Sequence, residues 1–285
     1  MFATLLGALP RPPVPAAAAP EALVHAALDV QAAAGLEPLT DGGWWGERPA
    51  VEAWRATSAM TERAVKQVVV GPLSSGEASP TDVARRLNAV LHDLAGAGCP
   101  LIEIHEPALA TLGDDRGAWD RFAEAHAILT EGVTGTHLSL AISGGSVGPL
   151  GIPTVIEMPY ASLAVDLIAG PENWRLVRAA PGVRGIVCGA LSPLAGSDDG
   201  PETLLWAAAY AASGDGRGPD RVGLATAGSL ADLSWDAAVT KMDRLGAAAR
   251  LATLPAEELR GRLDPRAIDS RSAALGEAAP RPRGR

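Results

Sequence analysis

The chain has 285 residues, 47% of them hydrophobic and 20% charged, with a formal net charge of −9. That is the composition of a globular protein with room for a large core, in one large α/β domain or two small ones. The negative charge argues against nucleic acid or an anionic membrane surface as partner, because phosphate binding needs clustered Lys and Arg. Two cysteines, Cys99 and Cys188, are too few for a disulfide framework or for a zinc site of thiolates alone. No apolar run approaches the roughly 20 residues that span a bilayer. The early stretch "PRPPVPAAAAP" is broken by proline and is not a signal peptide, so a cytoplasmic protein is expected.

In chain order, "FATLLG" (2–7) opens as a strand and "PEALVHAALDVQAAAG" (20–35) follows as a helix stopped by Gly35. "LEPLTDGG" (36–43) is a short strand running into a loop, and "AVEAWRATSAM" (50–60) a helix. "KQVVVGP" (66–72) is a β-branched strand, and 79–98 a strong helix with Ser79 or Thr81 as N-cap. "PLIEIHEP" (100–107) is a strand, 115–130 a helix, and "GTHLSLAIS" (135–143) a strand. "PTVIEMPY" (153–160) is expected as a strand, 170–180 as a helix and "VRGIVCGALSP" (183–193) as a strand. A helix (201–213), a strand (220–228) and a helix started by Ser234 (234–252) complete the pattern.

The count gives eight strand–helix units whose strands are apolar and non-alternating, as strands buried on both faces are. Such a chain is expected to close into a single-domain (β/α)₈ barrel over residues 1–264. The end, "SAALGEAAPRPRGR", is rich in Ala, Pro, Arg and Gly, and 265–285 are expected as a disordered tail.

In that fold chemistry gathers at the C-terminal ends of the strands. The polar candidates are Asp41, Trp44 and Trp45, then His105 and Glu106, His137 and Ser139, Glu157 and Tyr160, Cys188 and Ser192, and finally Thr226 and Ser229. His105 and Glu106 are adjacent and point to opposite faces, either as site residues or as a pair closing the barrel end. His137 and Glu157 fall on neighbouring expected strands, where a carboxylate would orient the imidazole; a satisfied core pair is the competing reading. Trp44 and Trp45 follow a Gly-Gly turn and either stack on a flat ligand or pack beneath a helix. "GGSVGPLG" lacks the Lys and helix start of a phosphate loop.

The ordered pieces "ATLLGALPRP", "VQAAAGLEPLTDG", "VVVGP", "AGCPLIEIHEPAL" and "GTHLSL" together resemble the catalytic barrel of cobalamin-independent methionine synthase. The short single-barrel members of that family are the nearer match, up to about residue 250. The resemblance implies a (β/α)₈ barrel and methyl transfer from methyltetrahydrofolate to homocysteine at a zinc held by His, Glu and two Cys. It places the zinc His on His137 and the Glu on Glu157, but the cysteines on Ser139 and Gly228. The amino-acid grip falls on Gly7-Ala8, Asp41-Gly42-Gly43 and His105-Glu106-Pro107, and the acid after strand seven on Leu191-Ser192-Pro193. With both thiolates and much of the grip replaced, neither the family zinc nor methionine synthesis is expected.

Three functions remain. The first is a divergent transferase moving a one-carbon or alkyl unit from a pterin, folate-like or thiol donor to another acceptor. His105, His137 and Glu157 would serve catalysis, with Asp41, Trp44, Trp45, Glu106, Ser139 and Tyr160 about a small-molecule substrate. The second is a catalytically silent barrel that binds a ligand or partner. The third is a metal-dependent hydrolase or lyase, which needs His105, His137 and Glu157 to converge.

Overall fold

A computed structural model describes residues 1–197, 200–254 and 258. The expected tail at 265–285, and the end of the expected domain beyond 258, lie outside the described residues. Seven parallel strands form one curled sheet in the order β1-β7-β6-β5-β4-β3-β2. They are β1 (Phe2–Thr4), β2 (Lys66–Val70), β3 (Leu101–His105), β4 (His137–Ile142), β5 (Ser162–Asp166), β6 (Gly185–Leu191) and β7 (Val222–Thr226). The helices between them are α1 (Pro20–Ala34), α2 (Ala50–Ser58), α3 (Pro80–Gly96), α4 (Arg116–Thr130), α5 (Gly151–Glu157), α6 (Asn173–Ala179), α7 (Pro201–Ser213) and α8 (Trp235–Leu251).

Local sequence sets the helix boundaries. Ser79, Asp115 and Ser234 each accept a backbone N–H of the first turn, starting α3, α4 and α8. Gly35 ends α1 at φ 84°, a left-handed conformation suited to glycine. Helix α8 packs on α1 so closely that a Cβ on Gly246 would lie 1.8 Å from the Ala34 carbonyl oxygen.

Two strand expectations are corrected. Residues 153–160 are not a strand: α5 ends at Glu157, and the strand comes after it, at Ser162–Asp166. The apolar residues Ile152, Val155 and Ile156 recur at helical spacing, and Val155 is fully buried against the core. Residues 36–43 form only an isolated bridge at Leu39. Pro38 has no N–H for a ladder. The segment still links the two edge strands: Glu37 N–H donates to Ala3 (2.8 Å), Leu39 N–H to Ala64 (2.8 Å), and Lys66 N–H to Leu39 (3.0 Å). The architecture is therefore a TIM-barrel-like curl of seven strands with a short connecting segment at the seam, where eight full strands were expected.

Alternation along the strands divides two cores. Ile102, Ile104, Leu138, Leu140 and Ile142 face the helices in the main core. Leu6, Ala141, Ala164, Val187 and Ala225 form a separate small cluster along the barrel axis. Among the described residues, no helix is long and apolar enough to cross a membrane.

Candidate functional site

The axis of the barrel holds a charged line on β2 and β3. Glu103 and His105 are two residues apart in a strand, so both face inward. Lys66 opens β2, and its Nζ donates to both Glu103 carboxylate oxygens at 2.8 and 2.7 Å and to the Leu5 carbonyl at 2.7 Å. His105 Nε2 lies 2.7 Å from Glu103 Oε1. The Lys66 side chain is 0% exposed and that of Glu103 2%, while that of His105 reaches 17% at the C-terminal end of β3. Burial alone would raise the Glu103 pKa, but the Lys66 ammonium and the His105 contact outweigh it and hold the acid at about 2. Burial pushes the Lys66 pKa down, and Glu103 opposes it. Glu103 thus stays ionised at neutral pH and can orient an imidazole as general-base systems require.

Other strand-end loops meet at this same end. Leu9 N–H donates to Gly42 at 3.0 Å, and a Cβ on Gly43 would stand 3.2 Å from the Ala8 Cβ. Two segments of the expected amino-acid grip are therefore side by side. Asp41 accepts the Gly43 N–H at 2.9 Å, and burial raises its pKa. Trp44 is half-buried, and its indole Nε1 is buried without a partner. Trp45 packs instead beneath α2, donating to Thr57 at 2.7 Å with the Arg48 guanidinium 3.8 Å above its ring. Its ring is buried there, the packed arrangement of the two expected for the tryptophan pair.

Glu106 is held in a buried network as well. It is fully buried under Gly71, where a Cβ would lie 2.2 Å from its Oε1. Its carboxylate accepts from Leu73 N–H (2.9 Å) and the Ser74 hydroxyl (2.6 Å), and it meets His126 Nε2 at 3.0 Å. The other nitrogen of His126 contacts the buried Tyr160 hydroxyl at 2.5 Å. Glu106 and Tyr160, expected about the substrate, brace α4 against the strand ends.

The expected His137–Glu157 partnership is not formed. His137 is the first residue of β4, at the N-terminal end of the barrel, with Nε2 2.8 Å from the Ser162 hydroxyl. Glu157 is exposed at the end of α5. Leu101 pairs with His137 and His105 with Ala141, so the two histidines stand four residues apart along the strands. That is about 13 Å at roughly 3.3 Å per residue. His105, His137 and Glu157 cannot converge on one metal ion. Among the described residues, no group of three or more His, Cys, Asp or Glu is placed to hold one.

The family's zinc therefore does not fit the residues assigned to it. Ser139 is a buried hydroxyl with no partner and Gly228 has no side chain, while His137 and Glu157 point to different regions. Cys188 is fully buried on β6, and burial pushes its thiol up to about 12, so it offers no thiolate.

Sequence reasoning missed Lys66, Glu103, His126 and the buried Asp166. Asp166 accepts backbone N–H groups of Gly144, Ile168 and Ala169 and fixes two strand-end loops. The signal for Glu103 was in "LIEIH", where Glu and His alternate onto one face.

The chain matches no protein-family model and no curated protein sequence. It is similar in structure to a B12-independent methionine synthase from Shewanella sp. W3-18-1, solved with selenomethionine. The TM-score is 0.72 at 15% identity, covering 91% of this chain and 98% of that one. A putative vitamin-B12-independent methionine synthase from Listeria monocytogenes gives 0.68 at 14% identity, over 88% and 96% of the two chains. A methyltransferase from Methanosarcina mazei gives 0.53 at 15%, over 70% and 63%. Two sugar epimerases are among the further structures sharing the fold. At such identities the likeness is one of fold, and the site must be argued from its own residues.

Proposed function

We propose that this chain is a divergent methyltransferase-like enzyme, moving a one-carbon or alkyl unit from a folate-like, pterin or thiol donor to an acceptor other than homocysteine. The observation that supports it is the His105–Glu103–Lys66 line. Barrel interiors are normally filled by branched apolar side chains. An ion pair there carries a desolvation cost that packing alone does not require. Here the line ends in an imidazole reaching the C-terminal end, where barrel enzymes work.

Transfer of an alkyl group to an N–H, O–H or S–H acceptor forms the bond from the acceptor atom to carbon. It breaks the bond from donor to carbon and releases the acceptor's proton. His105 takes that proton, and Glu103 holds the ring and stabilises the imidazolium that results. Asp41 and Trp44 are the substrate-binding candidates at the same end. The resemblance assigns Ala8, Gly43 and His105 to positions where that family grips an amino acid, which disfavours an ammonium-bearing acceptor.

A thermal-shift panel of methyltetrahydrofolate, pterins and thiols comes first, because a ligand selective for the folded state raises Tm. Methyl transfer from the donor so found is then measured with the native chain and His105→Asn. Loss of the base is expected to lower kcat by about 10²–10⁴-fold with the fold intact. A variant as active as the parent, or a panel without a single shift, would overturn the proposal; the empty panel would favour the silent barrel.

A further inference from the structure

At the opposite end of the barrel the strand starts enclose a cavity of about 560 Å³. That lies within the roughly 300–1,000 Å³ range of small-molecule sites. Gly185 lines it without a side chain, and the Phe2 ring, also on its wall, packs over Gly223. Phe2, Leu101, Ile186 and Val187 make much of its wall.

Of the buried or part-buried polar side chains on its wall, Thr4, Lys66, Glu103, His137 and Ser162 are engaged and one is not. Lys66 and Glu103 neutralise each other. His137 is tied to Ser162 at 2.8 Å, and burial lowers its pKa, which favours the neutral ring. Thr4 donates to the Pro38 carbonyl at 2.7 Å. The exception is Ser139. It is 1% exposed, lines the cavity, and its hydroxyl has no hydrogen-bond partner. A buried hydroxyl left unpaired is destabilising, and an occupant able to pair with it removes that cost. The rim bears Glu37, Asp220 and Arg221, a mixed set with no excess of positive charge to draw an anion.

We propose that this cavity is a second small-molecule site, for an uncharged and largely apolar molecule carrying one hydrogen-bonding group that pairs with Ser139. It opens at the other end of the strands from His105 and shares Lys66 and Glu103 with the proposed transferase line as part of its wall, but it does not depend on that reading.

The test uses 2-naphthol as probe, with naphthalene lacking the hydroxyl and 2-naphthoate carrying a charge. Binding to the full chain is followed by calorimetry and thermal shift. The native chain is expected to bind 2-naphthol one to one, at least fivefold tighter than either control. Ser139→Ala is expected to remove the advantage over naphthalene while leaving the unliganded Tm equal or higher, because it deletes an unpaired polar group. Ala161→Trp, at an exposed position on the cavity wall, is expected to abolish binding of all three without unfolding the chain. The proposal is overturned if 2-naphthol does not bind up to its solubility limit, which would mean a cavity holding water only. Preference for 2-naphthoate, equal loss of both neutral probes in Ser139→Ala, or unchanged binding in Ala161→Trp would each overturn it as well.

Discussion

Replacing Lys66 by methionine removes the ammonium and leaves the stem. Three hydrogen bonds go, two to Glu103 and one to the Leu5 carbonyl. The carboxylate stays buried with only His105 beside it. Breaking one side of a buried pair typically costs about 3–5 kcal/mol. Against a total stability on the order of 5–15 kcal/mol, that is a large fraction.

The assay is equilibrium urea unfolding of the native chain, Lys66→Met, Glu103→Gln and the double variant, repeated from pH 7 down to pH 4. The double variant is expected to lose less than the sum of the singles, because neither charge is then stranded. The pH dependence carries the sign. In the native chain the depressed Glu103 pKa contributes stability that is present above about 4.5 and is lost as pH falls toward about 2. In Lys66→Met the main opposition to burial is gone and only the His105 contact still lowers the acid's pKa, so the pKa is expected to rise. Acidification therefore relieves that variant while it begins to weaken the parent, and the two stabilities converge. A Lys66→Met chain within about 1 kcal/mol of the parent at pH 7, or a gap that does not narrow toward pH 4, would refute the reasoning.

Two further outcomes follow from packing and burial. Gly246→Ala, which in an exposed helix would gain about 1 kcal/mol, is expected to destabilise by about 1–3 kcal/mol through the clash with the Ala34 carbonyl. Thermal unfolding reads this, and a raised Tm would sink it. Burial pushes the Cys99 thiol up to about 11 and the Cys188 thiol to about 12, so the folded chain is expected to resist aromatic disulfide reagents at pH 8 while the denatured chain reacts at both. Rapid labelling of the folded protein would contradict that burial.

The outer layer of this fold is written in local signals. Ser79, Ser234 and Gly35 mark helix ends through groups that act within three residues, and each takes the role its residue type suggests. The inner layer is less legible, because inward and outward positions of a doubly buried strand are both apolar. Only the Glu-Ile-His alternation betrays the axis of β3, and the adjacent Glu106 stands outside that alternation. The run at 153–160 misled because its β-branched residues suit a strand, whereas their spacing suits a helix. His137 shows what a short motif lacks. "GTHLSL" fits a pattern but carries no position along the strand, and four residues of offset place it at the other end of the barrel. By contrast, Ala8 and Gly43, assigned to a shared pocket from separate motifs, do meet.

Lys66, Glu103 and His105 also constrain how this barrel can change over generations. Loss of Lys66 strands an anion in the interior, and loss of Glu103 strands a cation. Each single step passes through a less stable chain, whereas replacing both at once by apolar residues need not. The pair is therefore expected to change as a unit, with His105 keeping its orientation only where both are held. In any divergent copy of this chain, the residue at position 66, buried at the foot of β2, foretells what the imidazole at the far mouth can do.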